Sequence, residues 1–363
     1  MARPLDRRRP PWTHLAVLAV VAGAMAACGG TSEEGSKAAP KTTADPTTTT
    51  RPTDEARPEG RWTFVLTTTA RSDVSDLDPG VAVVRLATLT PSCDEGPCDV
   101  DVAPAGAKGT YLPEGVAFRD TPNSDPATYR WDGSAKTYTR VSGPRTSSCT
   151  NVDGKVVADA YTDTTTTTME FHPPEADRPA TMTGTYVEKV EATEAGLKEG
   201  CTAYEETGTA VATPTGSLTE GAGLDLHGAY IGTEVVTKID ADGAQPPGFI
   251  GLLGRFELTR SGKGYDAKGI IGTAALAPDG TGFTGRTASV ERPCTTTPET
   301  PKAYASVEEL ADLEPVALTE DGDPILAGRW TLSEEATPVG TAAGCASSTN
   351  TGYLVLVPAA SLD

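Results

Sequence analysis

Cysteine is the residue type best equipped for covalent chemistry in this chain of 363 residues, which contains seven of them. Cys28 stands apart, because it directly follows an apolar run at residues 15–24 and the small residues Ala26 and Ala27. Arginines precede that run. A basic start, a short apolar middle and small residues before a cleavage point are the parts of an export signal. The run is shorter than the roughly 20 residues that cross a bilayer, so we expect it to be removed.

The end of this leader resembles the lipobox of bacterial lipoproteins. The resemblance is carried by residues 25–28, Met-Ala-Ala-Cys, with Gly29 following. In that family the cysteine thiol takes a diacylglyceryl group and becomes the mature N-terminus. The resemblance therefore implies a signal peptide at residues 1–27 and a lipid on Cys28, which holds the protein at the extracytoplasmic face of the cell membrane. The sequence leaves the export route, Sec or twin-arginine, open.

Residues 28–59 predict a disordered tether. Prolines recur there among Thr, Ser, Glu and Lys, and apolar periodicity is absent. A flexible coil of this length spans on the order of 30 Å, which lifts the folded part off the membrane.

The composition is acidic, with 50 Asp and Glu against 30 Lys and Arg and a formal net charge of −20. Such a surface repels phosphate backbones and anionic headgroups, so we expect no nucleic acid partner. Attachment to the membrane is then left to the lipid. Abundant Thr, Ala, Gly and Arg beside few Lys and Asn favour a GC-rich, actinobacterial source.

The folded part of the chain contains a duplication. Its two halves repeat the same residue types at the same spacings. Matching positions are Gly184 and Gly328, Thr193 and Thr337, Gly196 and Gly340, Gly200 and Gly344, and Cys201 and Cys345. We therefore predict two homologous domains in tandem, at residues 60–216 and 226–363.

Six cysteines remain after Cys28, an even number in an exported and therefore oxidising setting, so we predict three disulfides. The duplication reduces the possible pairings, because two pairs occupy corresponding places in the halves. The predicted disulfides are Cys149 with Cys201, Cys294 with Cys345, and Cys93 with Cys98.

The pattern within each half is that of β-strands. Trp62, Phe64 and Leu66 alternate with other residues, which predicts a strand with one buried face. The continuous apolar run at residues 353–357 predicts a strand that is covered on both faces. Many short strands with Gly and Pro turns predict an all-β fold, in which each domain is an antiparallel barrel or sandwich with at most one short helix.

The helix signal in the sequence is a capping box, formed by Ser306 and Glu309 ahead of Leu310 and Leu313. A serine followed three residues later by glutamate is typical of a helix N-terminus. It predicts a short helix in the second domain.

A Gly-x-aromatic step begins both halves and recurs near their ends. Gly60 with Trp62, and Gly228 with Tyr230, begin the halves. The step resembles the Gly-x-Trp at the start of lipocalin barrels, in which the aromatic ring plugs one end. That resemblance implies closed barrels.

Two features of the first half have no counterpart in the second. About 23 extra residues fall within roughly 91–121, around the Cys93–Cys98 loop. This insertion is either a loop that recognises a ligand or a plain hairpin insertion. Tyr129, Trp131 and Tyr138 form an aromatic group that is either core or edge packing, or a site that stacks on a sugar or apolar ligand at a barrel mouth.

Catalytic motifs are absent from the sequence. Outside the leader there are two histidines, His172 and His227, which we interpret as surface or edge residues. No nucleophile elbow, zinc-binding motif or phosphate-binding loop is present, so we predict no catalytic residue, no cofactor and no metal site. We expect a monomeric, lipid-anchored binding or interaction module with an unknown envelope ligand or protein partner. The alternatives are a carboxylate-based cell-wall hydrolase and a structural spacer.

Overall fold

The computed structural model describes residues 56–73, 80–104, 127–150, 155–175, 178–218, 224–241, 249–269, 271–280, 282–294 and 300–362. The leader, Cys28 and the predicted tether up to residue 55 lie outside the described residues.

Eight antiparallel strands close into a first barrel, barrel 1, in which each strand pairs with the next and the last pairs with the first. The strands are β1 (Gly60–Arg71), β2 (Ala82–Pro91), β3 (Val100–Pro104), β4 (Ala127–Asp132), β5 (Thr137–Thr150), β6 (Val156–His172), β7 (Thr181–Ala192) and β8 (Tyr204–Pro214). Closure leaves no free sheet edge.

Barrel 2 contains nine strands. They are β9 (Gly228–Ala241), β10 (Phe249–Ser261), β11 (Gly264–Lys268), β12 (Thr273–Asp279), β13 (Gly282–Arg286), β14 (Val290–Arg292), β15 (Tyr304–Leu318), β16 (Pro324–Ala336) and β17 (Ser348–Pro358). Pairing of β13 with β15 closes a ring of eight strands, and the short β14 pairs with β15 beside it. The predicted all-β fold of two antiparallel domains is confirmed, and both domains are barrels.

Each barrel contains one short helix in the same place, between its last two strands: α1 (Glu194–Lys198) and α2 (Pro338–Ala342). The repeated threonines explain both helices. Thr193 and Thr337 are the N-caps, and their side chains accept hydrogen bonds from the backbone N–H of Gly196 and Gly340. After each helix comes a glycine with φ +82°, a backbone conformation that favours glycine.

The helix predicted from Ser306 and Glu309 is wrong, because these residues lie within strand β15. A β-bulge between Ala311 and Glu314 explains the misleading pattern. The bulge turns Leu310 and Leu313 to the same interior, although they are three residues apart. A bulged strand thereby imitates the spacing of a helix.

The prediction that β1 has one buried face is also wrong, since seven consecutive residues of this strand are buried. Trp62, Phe64 and Leu66 point into barrel 1, while Val65 points outward into a second core that both barrels share. The predicted burial of residues 353–357 on both faces is confirmed, for the same reason. One face of β17 lines barrel 2 and the other packs against barrel 1.

The shared core joins the two barrels side by side. Its members are apolar and come from the outer faces of both: Val65, Ala82, Val84 and Val211 from barrel 1, and Val235, Val316, Ala317, Ile325, Ala327, Tyr353, Val355 and Val357 from barrel 2. Hydrogen bonds supplement the packing. The Thr233 hydroxyl accepts from the Ala82 N–H at 2.8 Å and donates to the Gly80 carbonyl at 3.0 Å.

All three predicted disulfide pairings are present: Cys93 with Cys98, Cys149 with Cys201, and Cys294 with Cys345. The two long-range disulfides occupy equivalent places, next to α1 and α2, and each lies in a small buried cluster of its own. No helix among the described residues is long and apolar enough to cross a membrane.

Candidate functional site

The barrel 1 end at which β1 begins is covered, and we call it the closed end. The chain crosses it just before β1, where Pro58 is buried and the Glu59 carbonyl accepts a hydrogen bond from Trp62 Nε1 at 2.9 Å. Barrel 2 repeats this arrangement, with Tyr230 donating to the Leu226 carbonyl at 3.1 Å. The repeated Gly-x-aromatic step therefore places a ring at the closed end of each barrel.

The three predicted ligand-binding aromatics lie on the neighbouring strands β4 and β5. Tyr129 and Tyr138 are 2% and 1% exposed and belong to the core of barrel 1. Trp131 is half-buried at the closed end, with its ring 4.8 Å from that of Tyr138. Of the three, Trp131 alone meets solvent appreciably, whereas Tyr129 faces the middle of the barrel.

The length difference between the halves falls on the two connections around β3. Strand β2 is joined to β3 by residues 92–99, which include the Cys93–Cys98 loop, whereas β10 is joined to β11 by residues 262–263. Residues 105–126 separate β3 from β4, against 269–272 between β11 and β12. Most of the predicted insertion therefore lies outside the described residues.

Two arginines point into barrel 1. Arg85 on β2 pairs directly with Phe64, an interior residue, and directly paired residues of antiparallel strands share a face. Arg140 on β5 stands two residues after the interior Tyr138, so it also points inward. Both strands place a cation in the layer of side chains just beyond the aromatic closed end.

The Tyr129 phenol lies within the field of both arginines. Burial raises the pKa of Tyr129 above its usual range, while Arg140 and, more weakly, Arg85 act in the opposite direction. Arg140 Nε is buried without a hydrogen-bond partner within the described part of the chain. A buried N–H without an acceptor is uncommon in native proteins and often marks the place of a bound water or ion.

We call the inner surface of barrel 1 beyond the closed end the cup. Several described side chains that face inward there are half-buried, whereas most of those at the closed end are buried. The cup is lined by Leu66, Val83, Arg85, Tyr129, Arg140 and Thr165. An eight-stranded barrel is just wide enough to hold one small ligand.

A polar network stands between the cup and the open end of barrel 1. The Tyr186 hydroxyl donates to Glu206 Oε1 at 2.9 Å, and the Thr68 hydroxyl reaches the same carboxylate oxygen at 2.9 Å. Burial raises the pKa of Tyr186, so its phenol stays protonated and remains a donor. The network holds Glu206 with neutral donors. Glu188 pairs directly with Glu206 and with Thr165, so a second carboxylate faces the same interior.

Barrel 2 has glycine where barrel 1 has the two arginines. Gly254 corresponds to Arg85, because it pairs with Gly232 in the place where Arg85 pairs with Phe64. Gly285 corresponds to Arg140, because it pairs with Leu310 in the place where Arg140 pairs with Thr167. Phe256 fills the corresponding space, since a Cβ on Gly232 would collide with its ring. The inward cations are therefore a property of barrel 1 and not of the shared architecture.

Barrel 2 instead encloses carboxylates. Glu308 is 3% exposed and accepts a hydrogen bond from Trp330 Nε1 at 2.8 Å. Burial, together with the charge of Glu308, raises the pKa of Glu234 to about 7, while the charge of Arg292 acts in the opposite direction. Arg292 is itself 3.3 Å from the Glu334 carboxylate.

The two histidines make local contacts at strand ends. His172 is half-buried and hydrogen-bonds the Thr183 hydroxyl at 2.9 Å, while the exposed His227 bonds the Leu258 carbonyl at 2.8 Å. Within the described residues, no group of three or more His, Cys, Asp or Glu side chains is arranged to hold a metal ion.

The sequence analysis named Tyr129 as a candidate residue and did not name the inward-facing Arg85 and Arg140. A usable signal was present for each. Arg85 interrupts the otherwise apolar residues 81–87, and Arg140 keeps the two-residue spacing from Tyr138 that marks the buried face of a strand.

No family model matches the chain, and no curated protein or solved structure is significantly similar to it.

Proposed function

We propose that the protein is a lipid-anchored, extracytoplasmic binding protein, in which barrel 1 takes up a small ligand and barrel 2 supports it. The leader predicts export, Cys28 predicts attachment to the membrane through a lipid, and three disulfides suit an oxidising compartment. Barrel 2 has a filled interior and shares a core with barrel 1, which suits a supporting role.

The observation that carries the proposal is the contrast between corresponding interiors. Barrel 1 and barrel 2 share strand order, closed-end plugs and helices, so differences between them report on what each does beyond folding. The large Phe256 of barrel 2 corresponds to the small Ala87 of barrel 1, and the two inward arginines correspond to glycines. The buried Arg140 Nε–H has no acceptor among the described residues, which favours a ligand-binding role for this side chain.

Native mass spectrometry of protein purified from its own envelope tests this proposal. We expect an added mass on the wild-type protein and none on Val83→Trp, because Val83 faces the cup and an indole there occupies it. Val141→Trp is the matched control, since Val141 is 61% exposed and the added mass should persist. An added mass that survives Val83→Trp, or none on the wild type, contradicts binding in barrel 1.

The anchor has its own test. We expect Cys28→Ala to move the protein from the membrane fraction to the soluble extracytoplasmic fraction, because the thiol that would carry the lipid is gone. A variant that is cleaved normally and stays in the membrane fraction refutes the lipid anchor.

A carboxylate-based hydrolase is the second candidate. The observation in its favour is Glu234, whose pKa of about 7 suits a general acid and which has Glu308 as a neighbour. We rank it second because Glu308 is almost fully buried and bonded to Trp330. Release of sugar fragments from purified cell wall by the wild type, abolished in Glu234→Gln, would promote it.

A further inference from the structure

We propose that the closed end of barrel 1 carries a contact site for a neutral saccharide chain of the cell envelope, with the Trp131 ring as its platform. The site lies at the barrel end, apart from the cup, so the inference goes beyond the proposed function. It combines the two features that distinguish the first half of the sequence from the second, the Cys93–Cys98 loop and Trp131.

Strand direction brings the loop and the ring to the same barrel end. Strands β2 and β4 end where β1 begins, because each strand is antiparallel to its neighbours. Asp99, which directly follows Cys98, accepts hydrogen bonds from the Trp131 backbone N–H at 2.9 Å and from Arg130 Nη1. These two bonds lower the pKa of Asp99, so it is a charged acceptor at neutral pH. The loop thereby fixes the strand end that carries the ring.

The Trp131 side chain offers an apolar ring with a polar edge. It is half-buried, and its ring is tilted by 47° against that of Tyr138. The indole Nε1 has no hydrogen-bond acceptor among the described residues. A Cβ at Gly133 would stand 3.5 Å from Nε1, so the glycine leaves this edge of the indole uncovered. A sugar ring, with an apolar face and hydroxyls at its edge, complements such a side chain.

The arginines next to the ring are paired with carboxylates. Arg57 Nε stands 3.7 Å from a Glu59 oxygen, and Arg130 pairs with Asp99. Arg57 Nη1 also lies 3.6 Å from Cys93 Sγ, which places this side chain against the loop. Paired charges present both donors and acceptors and little net field, which suits a neutral ligand rich in hydroxyls better than an ion.

Two buried polar atoms at this end have no hydrogen-bond partner among the described residues, Arg57 Nε and the Tyr138 hydroxyl. They are close to each other, because the charge of Arg57 acts on the Tyr138 phenol, whose pKa burial raises to about 12. The phenol therefore stays protonated. Unpartnered buried polar atoms are uncommon in native proteins and often mark a place where another molecule binds.

Barrel 2 shows that the loop and the ring are not needed to close a barrel end. Pro278 pairs with Phe283 in the place where Trp131 pairs with Tyr138. Residues 262–263 alone join β10 to β11, where barrel 1 has the disulfide loop. Both barrels nevertheless have an aromatic plug at this end. The loop and the half-buried ring are therefore additions to a plug that closes without them, which favours a role in recognition.

Fluorescence titration of the full mature chain carrying Cys28→Ser tests the proposal, because Trp131 reports on its own site. The other tryptophans after the leader, Trp62 and Trp330, are 2% and 1% exposed. The probes are chitotetraose, cellotetraose and mannotetraose, with sorbitol as an acyclic control. We expect at least one tetrasaccharide to change the emission saturably and to shield Trp131 from acrylamide quenching, and we expect sorbitol to do neither.

Trp131→Ala should weaken binding of that tetrasaccharide by about tenfold or more in titration calorimetry, and Trp131→Phe by less. Gly133→Leu should weaken it too, since the added side chain covers the indole edge. Tyr161→Ala is the control, because Tyr161 is a half-buried aromatic residue near the opposite barrel end, and affinity should be unchanged. Thermal unfolding shows whether each variant is folded. If Trp131→Ala unfolds, Gly133→Leu, at an exposed turn position, replaces it.

The saccharide site is overturned if sorbitol acts like the tetrasaccharides, or if no tetrasaccharide gives a saturable response at millimolar concentration. Binding that is unchanged in both Trp131→Ala and Gly133→Leu also overturns it. The probes are added to the protein, so the result does not depend on a ligand carried through purification. A negative result beside an added mass that Val83→Trp removes leaves the cup standing and the saccharide site wrong.

Discussion

Arg85 and Arg140 stand where barrel 2 has glycine, and Glu234 stands where barrel 1 has Leu66, six residues after the glycine that begins each barrel. Shared folding requirements explain the residues that agree between the barrels, such as the capping threonines. They do not explain why two arginines point into barrel 1, beside Glu188 and Glu206, and why Glu234 and Glu308 are enclosed in barrel 2. At the scale of single residues, the duplicated chain thus acts as its own comparison.

The carboxylates of barrel 2 make its stability depend on pH. The pKa of Glu234 is raised from 4.5 to about 7, chiefly by burial, and that of Glu308 is raised as well. The folded state therefore binds protons more strongly than the unfolded chain, so stability falls as pH rises from about 4.5 through 7. The charge of Arg292, which is paired with Glu334, also acts on Glu234, and both residues are the same in the wild type and the variants compared below.

We expect Glu234→Gln to remove much of this loss, which is at most ~3 kcal/mol for the Glu234 shift. Differential scanning calorimetry between pH 5 and pH 8 measures it, as a melting temperature that falls less steeply in the variant. Glu257→Gln, on the exposed face of β10, should leave the slope unchanged. A wild-type melting temperature that rises over this range contradicts the assignment.

At the scale of elements, the sequence indicated regular strands better than it indicated the bulge in β15 or the two short helices. Alternation at Trp62 and Phe64 marked the interior of β1, and the repeated spacings located equivalent disulfides. The bulge in β15 could not be foreseen, because it gives Leu310 and Leu313 a helical spacing. Five-residue helices are too short for apolar periodicity, so α1 and α2 were marked solely by their caps.

The caps give a prediction at this scale. Thr337 receives the Gly340 N–H at 3.1 Å, and its hydroxyl also donates to the Lys302 carbonyl at 2.8 Å, which ties α2 to the start of β15. Thr337→Ala should lower the free energy of unfolding by about 1 kcal/mol, as other cap losses do. Urea denaturation measures it against Thr341→Ala, an exposed position on the same helix. Equal stability of the two variants would show that the cap contributes nothing.

At the scale of the whole molecule, the sequence predicted two domains and missed that they share a core. That core could not be foreseen from either half alone, because Val65 looks like an outward residue until the neighbouring barrel covers it. The position of Arg140 was equally hidden, since it depends on strand register and closure. Features set by neighbouring residues in the chain were predicted, whereas features that depend on contact with another strand or with the other barrel were not.

The shared core predicts cooperative unfolding of the pair. We expect one calorimetric transition for the wild type and two for Val65→Asp, because a carboxylate at this fully buried position costs at least ~2 kcal/mol while the barrels are docked. In an isolated barrel 1 the same side chain would face water. Val141→Asp is the exposed control and should unfold like the wild type. A single, unshifted transition for Val65→Asp would refute coupling through this interface.

Hydrogen–deuterium exchange of the protein purified from its own envelope, compared with the same protein freed of its ligand by unfolding and refolding, tests most directly whether barrel 1 is the ligand-binding barrel. In the ligand-bound protein we expect slower exchange in β2, β4 and β5, which carry Arg85, Tyr129 and Arg140, and no change in β9 to β17. Slowing confined to barrel 2, or equal slowing in both barrels, would contradict the division of roles proposed for them.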